Sequence, residues 1–484
     1  MTMLKNLVNY LLVITLLCIS SKSKAQQKHT ISGTIKDRKN GELMIGVTVR
    51  IEGNLSVGTA SNEYGFYSLS LPNGNYTLII SYVGYDEQRQ QVQLEKNARI
   101  DWLLEQATEG KNNLQEVVVS GAKKDKNLSD AQMGIETLDI KQIEKLPVLF
   151  GEKDVMKTLQ LLPGIKSSGE GNTGFSVRGG ATDQNVILLD EAPVYNASHL
   201  LGFFSTFNSD ALKDASIIKG NSPAQYGGRL SSVMDIKMKD GNNQDYNVTG
   251  GIGLISGRLS VQGPIQKDKS SFIVSGRRTY ADLLLRSSED FKDSKLYFYD
   301  LNVKANYEIN QNNRIYLSGY FGRDVLGFGD TFGTNWGNTT ATFRWNTVIN
   351  SQLFANTSII YSNYDYKLNF SSSGNDFGLN SQIKDWNLKE DFSWFASTKH
   401  TVRFGIQSIY HTIAPSRVSG TSVSSYPKST RYSWENALYI NDEYKATDRL
   451  TINYGLRLAA FTVMGGDTYN IYNNGVLTDS LTLA

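Results

Sequence analysis

Tyr297-Phe298-Tyr299-Asp300-Leu301-Asn302-Val303-Lys304-Ala305-Asn306-Tyr307-Glu308-Ile309 alternates apolar and polar residues. Tyr297, Tyr299, Leu301, Val303, Ala305, Tyr307 and Ile309 share one parity, while Asp300, Asn302, Lys304, Asn306 and Glu308 fill the other. Successive side chains of a β-strand point to opposite faces, so the stretch reads as a long strand with one apolar and one polar face. The pattern returns in Val402, Phe404 and Ile406 against Arg403 and Gln407, and in Leu450, Ile452, Tyr454, Leu456 and Leu458 against Thr451, Asn453 and Arg457. A soluble sandwich and a membrane barrel share this period, so alternation alone does not choose between them.

Connection lengths and aromatic placement do discriminate. Turns near Gln311-Asn312-Asn313, Asn350-Ser351, Thr398-Lys399 and Thr447-Asp448 take a few residues, whereas the connections around Ser288, Asp330, Ser373 and Gly420 are expected to take about ten or more. Short turns at one end and long loops at the other are the habit of an outer-membrane barrel. Tyr297, Tyr299, Tyr364, Tyr366, Phe370, Trp394, Phe395, Tyr432 and Trp434 stand near strand ends, as interfacial girdles do; scattered core aromatics are the other reading.

The chain opens on a leader. Lys5 precedes the apolar run Tyr10 to Leu17, and Ser23-Lys24-Ala25 supplies small residues for cleavage after Ala25. The run is too short to span a bilayer as a helix. Cys18 would admit a lipid-anchored form, but Leu17 before it is bulky where a small residue is needed. Cleavage removes the one cysteine of the chain, leaving an exported protein that uses neither disulfides nor thiolate metal sites. A net charge of +2 carries no footprint for nucleic acid. With 26 Tyr, 20 Phe and 43 Gly against 8 Pro, the composition suits large β-proteins.

From Thr30 to Gln106 short alternating strands are separated by turns at Gly53-Asn54, Asn62-Glu63-Tyr64-Gly65 and Pro72-Asn73-Gly74-Asn75, the pattern of a small β-sandwich. Ile31-Ser32-Gly33-Thr34-Ile35, Gly46-Val47-Thr48-Val49, Asn62 to Phe66 and Leu71 to Tyr76, closing on Tyr82-Val83-Gly84-Tyr85, resemble the carboxypeptidase-regulatory-like domain. That resemblance implies a transthyretin-like sandwich without catalysis of its own. The polar stretch 107–126 then holds one short β-branched run, Leu114, Gln115, Glu116, Val117, Val118, Val119 and Ser120. Such a run can add as a strand to another protein's sheet, or it can close the preceding sandwich as its last strand. It is similar to the TonB box, through which the inner-membrane energy-transducing protein pulls on outer-membrane receptors.

Residues 127–243 turn to mixed α and β, with a helix expected over Glu152 to Leu162 ahead of Pro163-Gly164. Gly174-Phe175-Ser176-Val177-Arg178-Gly179-Gly180, Val186 to Tyr195 with Asp190 and Glu191, Ile218-Lys219-Gly220, and Pro223 to Val233 with Tyr226, Gly227, Gly228 and Arg229 follow one another. In order and spacing they closely resemble the plug domain of TonB-dependent receptors. Physically, a domain folded inside a water-lined barrel must turn tightly at its Gly pairs and neutralise buried charge locally. Arg178 and Arg229 are therefore expected to pair with Asp190, Glu191 or carboxylates of the wall, either as a latch that holds the plug shut or as plain structural pairs.

The expected architecture is mainly β: signal peptide 1–25, transthyretin-like sandwich 26–106, linker 107–126, α+β plug 127–243, and transmembrane β-barrel 244–484. About 240 residues at about 22 per strand make about ten or eleven strands. Ten strands would close at a radius of about 10 Å, too narrow for a plug whose own radius of gyration is about 13 Å. The chain is thus expected to hold the first half of a 22-stranded antiparallel barrel and to be truncated, and Leu477 to Ala484 lacks the terminal aromatic strand such barrels present.

No enzyme pattern stands against this. His29, His199, His400 and His411 fall in no metal-ligand spacing, and the glycine-rich Gly250 to Gly257 lacks the closing spacing of a phosphate loop and reads as an early hairpin. His199 reads either as a structural or as a ligand-facing histidine. No cofactor, metal or nucleic acid is expected. The resemblance implies energised uptake of a large nutrient, a glycan, an iron chelate or similar, across the outer membrane. Implied partners are the TonB complex, outer-membrane lipid, a surface lipoprotein lid and the nutrient ligand. A signalling receptor and a surface adhesin are the alternatives; the first usually carries a different N-terminal domain, and the second needs no run like Leu114 to Ser120.

Overall fold

The computed structural model describes residues 28–107, 134–140, 154–169, 173–285, 287–372, 375–420, 430–447, 449–465, 468–473 and 476–482. The leader and the run Leu114 to Ser120 lie outside the described residues.

At the N-terminal end two sheets pack face to face. Lys28–Asp37 centres the first, antiparallel to Phe66–Pro72 and parallel to the short strands Ala98–Arg99 and Trp102–Leu104. The second runs Asn54–Ala60, Thr48–Ile51, Gly74–Ser81, Gln88–Leu94. Period-two alternation turns Ile31, Ile35, Val47, Val49, Leu69, Leu78, Ile80 and Leu94 into one shared core. The turn before Phe66 is an Asx turn, in which Asn62 Oδ1 accepts the N–H groups of Tyr64 and Phe66, both at 2.9 Å.

The middle of the chain forms a five-stranded sheet in the order Ala192–Pro193, Asn185–Leu189, Ser232–Met238, Leu212–Ile218, Ile135–Asp139. The helix Val155–Leu159 buries Val155, Met156 and Leu159 against it. The helix is shorter than the sequence predicts. Asp154 caps it by accepting from the N–H groups of Met156 and Lys157, and beyond Leu159 the chain tightens into i to i+3 turns at Leu161 and Leu162 before Pro163.

Among the described residues, eleven antiparallel strands from Asn247–Ile252 to Leu450–Met464 form one continuous sheet whose two edge strands are not paired with each other. Plug contacts come from its second strand, where Arg258 meets Asp210 at 3.0 Å, through to its eleventh, where Arg457 reaches Gln225 O at 3.3 Å, so the sheet wraps around the plug. The burial is inverted relative to a soluble protein. Asp300, Asn302, Lys304 and Asn306 are at most 5% exposed, while Tyr299, Leu301, Val303, Tyr307 and Ile309 are at least 36% exposed. A sheet that turns its apolar parity outward and its charges inward belongs in lipid around a polar lumen. This decides between the two readings that alternation left open. Gly250 to Gly257 is the first hairpin of this sheet, with Gly253 N–H bonded to Ser256 O at 2.8 Å.

Two expected long loops are corrected. Around Asp330 only Gly329, Asp330 and Thr331 intervene, because pairing continues to Phe328 opposite Phe332. Around Ser373 pairing continues to Ser372 opposite Asn375. The strands run on instead of looping: Asn313–Phe328 has 16 residues and Asn375–Trp394 has 20, against about 9–11 for a membrane crossing, so their ends project past the bilayer. The connections after Thr279 and Gly420 are long, as expected.

Candidate functional site at the seam between plug and wall

The plug is fastened to the wall chiefly by charge. Leu189 pairs with Ala192, so Asp190 and Glu191 are the whole turn of a two-residue hairpin, with φ of 46° and 75°. Both central residues of such a turn need positive φ, which Asn-Gly supplies without strain. Here two carboxylates occupy it, a strained backbone of order 1–3 kcal/mol per residue that the surroundings must offset. Asp190 Oδ1 accepts Met238 N–H at 3.0 Å, and its Oδ2 lies 3.0 Å from Lys304 Nζ on the wall. Lys304 also meets Asp240 at 2.9 Å and donates to Met238 O at 2.9 Å. Glu191 Oε1 lies 3.0 Å from Arg344 Nε and 3.1 Å from Tyr64 Oη, a residue of the N-terminal sandwich. Burial pushes the Glu191 carboxyl up, but Arg344, with Lys389 and Lys237 behind it, holds it well below the usual carboxylate range. Asp190 is likewise lowered, burial being outweighed by Lys304 and Arg344.

A second buried cluster sits nearer the long-loop end. His199 Nδ1 lies 2.6 Å from Asp324 Oδ2, and its Nε2 is 3.5 Å from Asp300. Its ring stacks on Phe298 at 4.1 Å, and Arg277 closes the far side with 2.7 Å to Asp300. Burial alone would lower the imidazole pKa, yet the carboxylates of Asp324 and Asp300 outweigh it and raise it. Of the two readings, the geometry favours a histidine held by the wall. Tyr195 of the plug donates to Asp385 on the wall, which also meets His411 at 2.7 Å. These three, with Gln225, Arg229 and Glu435, line a cavity of about 1000 Å³ between plug and wall.

The expected arginine pairings are corrected. Among the described residues Arg178 and Arg229 make no ion pair. Arg178, at φ 50°, lays its side chain across the backbones of Gly134, Gly164 and Gly220, and Arg229 is exposed with its guanidinium on Gly228 O at 3.1 Å. The carboxylates of Asp190 and Glu191 are taken instead by Lys304 and Arg344 of the wall. Val177 is buried in the strand Phe175–Val177; Gly179 and Gly228 turn at positive φ, and Gly180 has no room for a Cβ beside Ser231. Tyr226 donates to Asp235 at 3.2 Å, and Gly227 lets Arg457 of the wall approach the plug backbone. Sequence reasoning missed Lys304, Arg344, Arg277 and Asp324. The usable signal was charge on the polar parity of long alternating strands, because an ion inside a lumen filled by a plug requires a partner there.

Residues 31–119 match the family model of the CarboxypepD_reg-like domain, and residues 127–232 match that of the TonB-dependent Receptor Plug Domain. A curated relative, TonB-dependent receptor P3 of Formosa agariphila, is 29% identical over 142 residues, 29% of this chain and 13% of that protein. Among solved structures the chain is similar to the ferric enterobactin receptor of Pseudomonas aeruginosa, with a TM-score of 0.53 at 14% identity, over 70% of this chain and 58% of that one. The siderophore receptor PirA of Acinetobacter baumannii gives 0.52 at 16%, over 68% and 57%. The copper transporter OprC gives 0.55 at 13%, over 72% and 58%. The chain thus spans under two thirds of the length of each, and at these identities the structures speak for the fold.

Proposed function

Because the chain belongs to the TonB-dependent receptors of the outer membrane, we propose that it serves the energised uptake of a nutrient too large for open diffusion. The observation that carries this is the seam itself: a separately folded plug held in the lumen by buried ion pairs between Asp190 or Glu191 and the wall. A permanent core would use apolar packing, which gives more stability than buried charge. Ion pairs hold in a fixed geometry and let go once water enters, which suits a plug that opens under force and reseats. In this reading Leu114 to Ser120 adds as a strand to the TonB protein, and tension reaches the plug through the edge strand Ile135–Asp139. Among the described residues that strand pairs on one side only, with Leu212–Ile218, and can be peeled one residue pair at a time. The solved neighbours are named for siderophores and copper, and the aligned fold does not choose among cargo classes.

Cells lacking the gene and cells making the receptor are compared for growth on a ferric catecholate, cobalamin and defined oligosaccharides as limiting nutrients. The reading expects growth on one of them, lost when Leu114 to Ser120 is deleted, together with loss of binding to the purified periplasmic domain of TonB. Growth indifferent to that deletion would sink it.

A further inference from the structure

The N-terminal sandwich does not hang free of the barrel. Its Asn62-Glu63-Tyr64-Gly65 turn enters the seam between plug and wall. The Tyr64 ring stacks on Phe354 of the wall at 5.3 Å, Phe66 packs on Phe354 and Phe395, and Arg344 lies over the Tyr64 ring at 5.5 Å. The Tyr64 hydroxyl reaches Glu191 at 3.1 Å, while Glu63 faces Lys237 of the plug at 3.4 Å and Arg403 of the wall at 3.8 Å. Burial pushes the Glu63 carboxyl up, and Lys237 and Arg403 more than offset it, so it enters the seam ionised. One short turn therefore touches both members of the Glu191–Arg344 pair and brings a third charge.

A second sandwich loop grips the end of the plug. Glu42 accepts Asp240 N–H at 2.7 Å, Asn40 O accepts Asn243 N–H at 2.9 Å, and Lys213 donates to Leu43 O at 2.6 Å. Around these two insertions the sandwich meets the short-turn rim of the barrel. Arg99 donates to Asn312 at 2.6 Å, Ser68 to Ser351 O at 2.6 Å, and Lys36 pairs with Glu308 at 2.8 Å.

We propose that the sandwich is a clasp that holds the plug shut: docked on the short-turn rim, it wedges the turn at Glu63 and Tyr64 into the plug–wall seam, and must leave before the plug can move. Connectivity gives the clasp its place in opening. The last described strand of the sandwich is Trp102–Leu104, and the first described strand of the plug sheet is Ile135–Asp139. A pull on any point between them loads sandwich and plug together, so one force withdraws the wedge and peels the plug edge. The proposal rests on the uptake reading only in giving the plug a reason to open; the docking stands apart from it.

The test uses the full-length receptor in outer membranes. Asn97 Nδ2 and Ser351 Oγ are 3.4 Å apart across the rim, and the only native cysteine, Cys18, precedes the sandwich. Asn97→Cys with Ser351→Cys should cross-link on mild oxidation, seen as a gel shift absent from either single variant. Oxidation should also slow amide exchange in the plug strands Asn185–Leu189 and Ser232–Met238. Glu63→Gln with Tyr64→Ala should speed exchange in those strands about tenfold while leaving Lys28–Asp37 unchanged. Absence of the cross-link overturns the clasp. So does a cross-link that leaves plug exchange the same oxidised and reduced, a comparison that decides the matter even if the wedge variant unfolds the sandwich. None of these measurements needs a ligand or TonB, so a receptor that passes them and imports no probe would refute the uptake reading alone.

Discussion

Replacing Arg344 with Met should loosen the plug by far more than the loss of one surface ion pair. Arg344 and Glu191 are both buried, 3.0 Å apart, with 6% and 8% of their side chains exposed. At an effective dielectric of about 20, unit charges at that distance attract by about 5.5 kcal/mol. Desolvating the two ions offsets most of this, so the pair as a whole adds little. Removing one partner is different, because the other stays buried and uncompensated, at a penalty of about 3–5 kcal/mol. Arg344→Met therefore leaves Glu191 with the neutral Tyr64, Asn356 and Ser358 and the more distant cations, and Glu191→Gln leaves Arg344 above Tyr64 and Tyr316. Carrying both changes restores neutrality, and its effect should fall well short of the sum. The assay is hydrogen exchange of the strand Asn185–Leu189 in detergent-solubilised receptor, where a loss of about 3–5 kcal/mol reads as two to nearly four orders of magnitude in rate. If the single effects add to within about 0.5 kcal/mol, the two side chains do not act as a unit and the seam is held by something else.

Asp214 offers a pH test: burial, opposed by Lys213 and Lys237, pushes its carboxyl up to about 6. A carboxyl that binds its proton more tightly in the folded than in the unfolded state stabilises most below its ordinary pKa of about 4, and that stability is lost as pH rises through about 6. Asp214→Asn should thus raise plug stability at pH 7 by on the order of 1–3 kcal/mol and change little at pH 4; a urea midpoint that stays put at pH 7 counts against it. His199 shares the sign in a higher window, because a raised imidazole pKa gives stability that is full below about 6.5 and drains away as pH climbs through the folded value. His199→Gln should flatten the alkaline rise in plug exchange, and an unchanged slope would assign that rise to other groups. Gly180 and Gly227 should respond differently to Ala. At Gly180 the new methyl meets Ser231 Cβ at 2.7 Å and cannot be avoided, a strain of about 1–3 kcal/mol, whereas at Gly227 it meets the Arg457 guanidinium, which can swing aside. Equal losses in thermal melting would refute the distinction.

What could be read from residues and what could not divides along a physical line. The period of Tyr297 to Ile309 depends only on the backbone, so the strand is legible wherever it sits. Which parity faces inward depends on the surroundings, and no count of apolar residues within one strand supplies that. The same limit misled the loop readings near Asp330 and Ser373, where polar, turn-forming residues looked like loop and were instead extended ladder beyond the bilayer. Charge pairing was the least legible. Asp190 and Glu191 stood out, but their cations are Lys304 and Arg344, which lie on wall strands far along the chain, while the arginines written beside the Gly pairs make no ion pair among the described residues. Proximity in sequence ranked Arg178 and Arg229 first because a turn keeps neighbours close. The hairpin at Asp190 and Glu191 works the other way: Asp190 Oδ1 stays on the plug's own Met238 N–H, but the cations that meet the two carboxylates at 3.0 Å stand on the wall. A pair of acids where a tight hairpin ordinarily takes Asn-Gly is therefore itself a readable trace of cations close by, here Lys304 and Arg344 of the wall with Lys237 of the plug behind them.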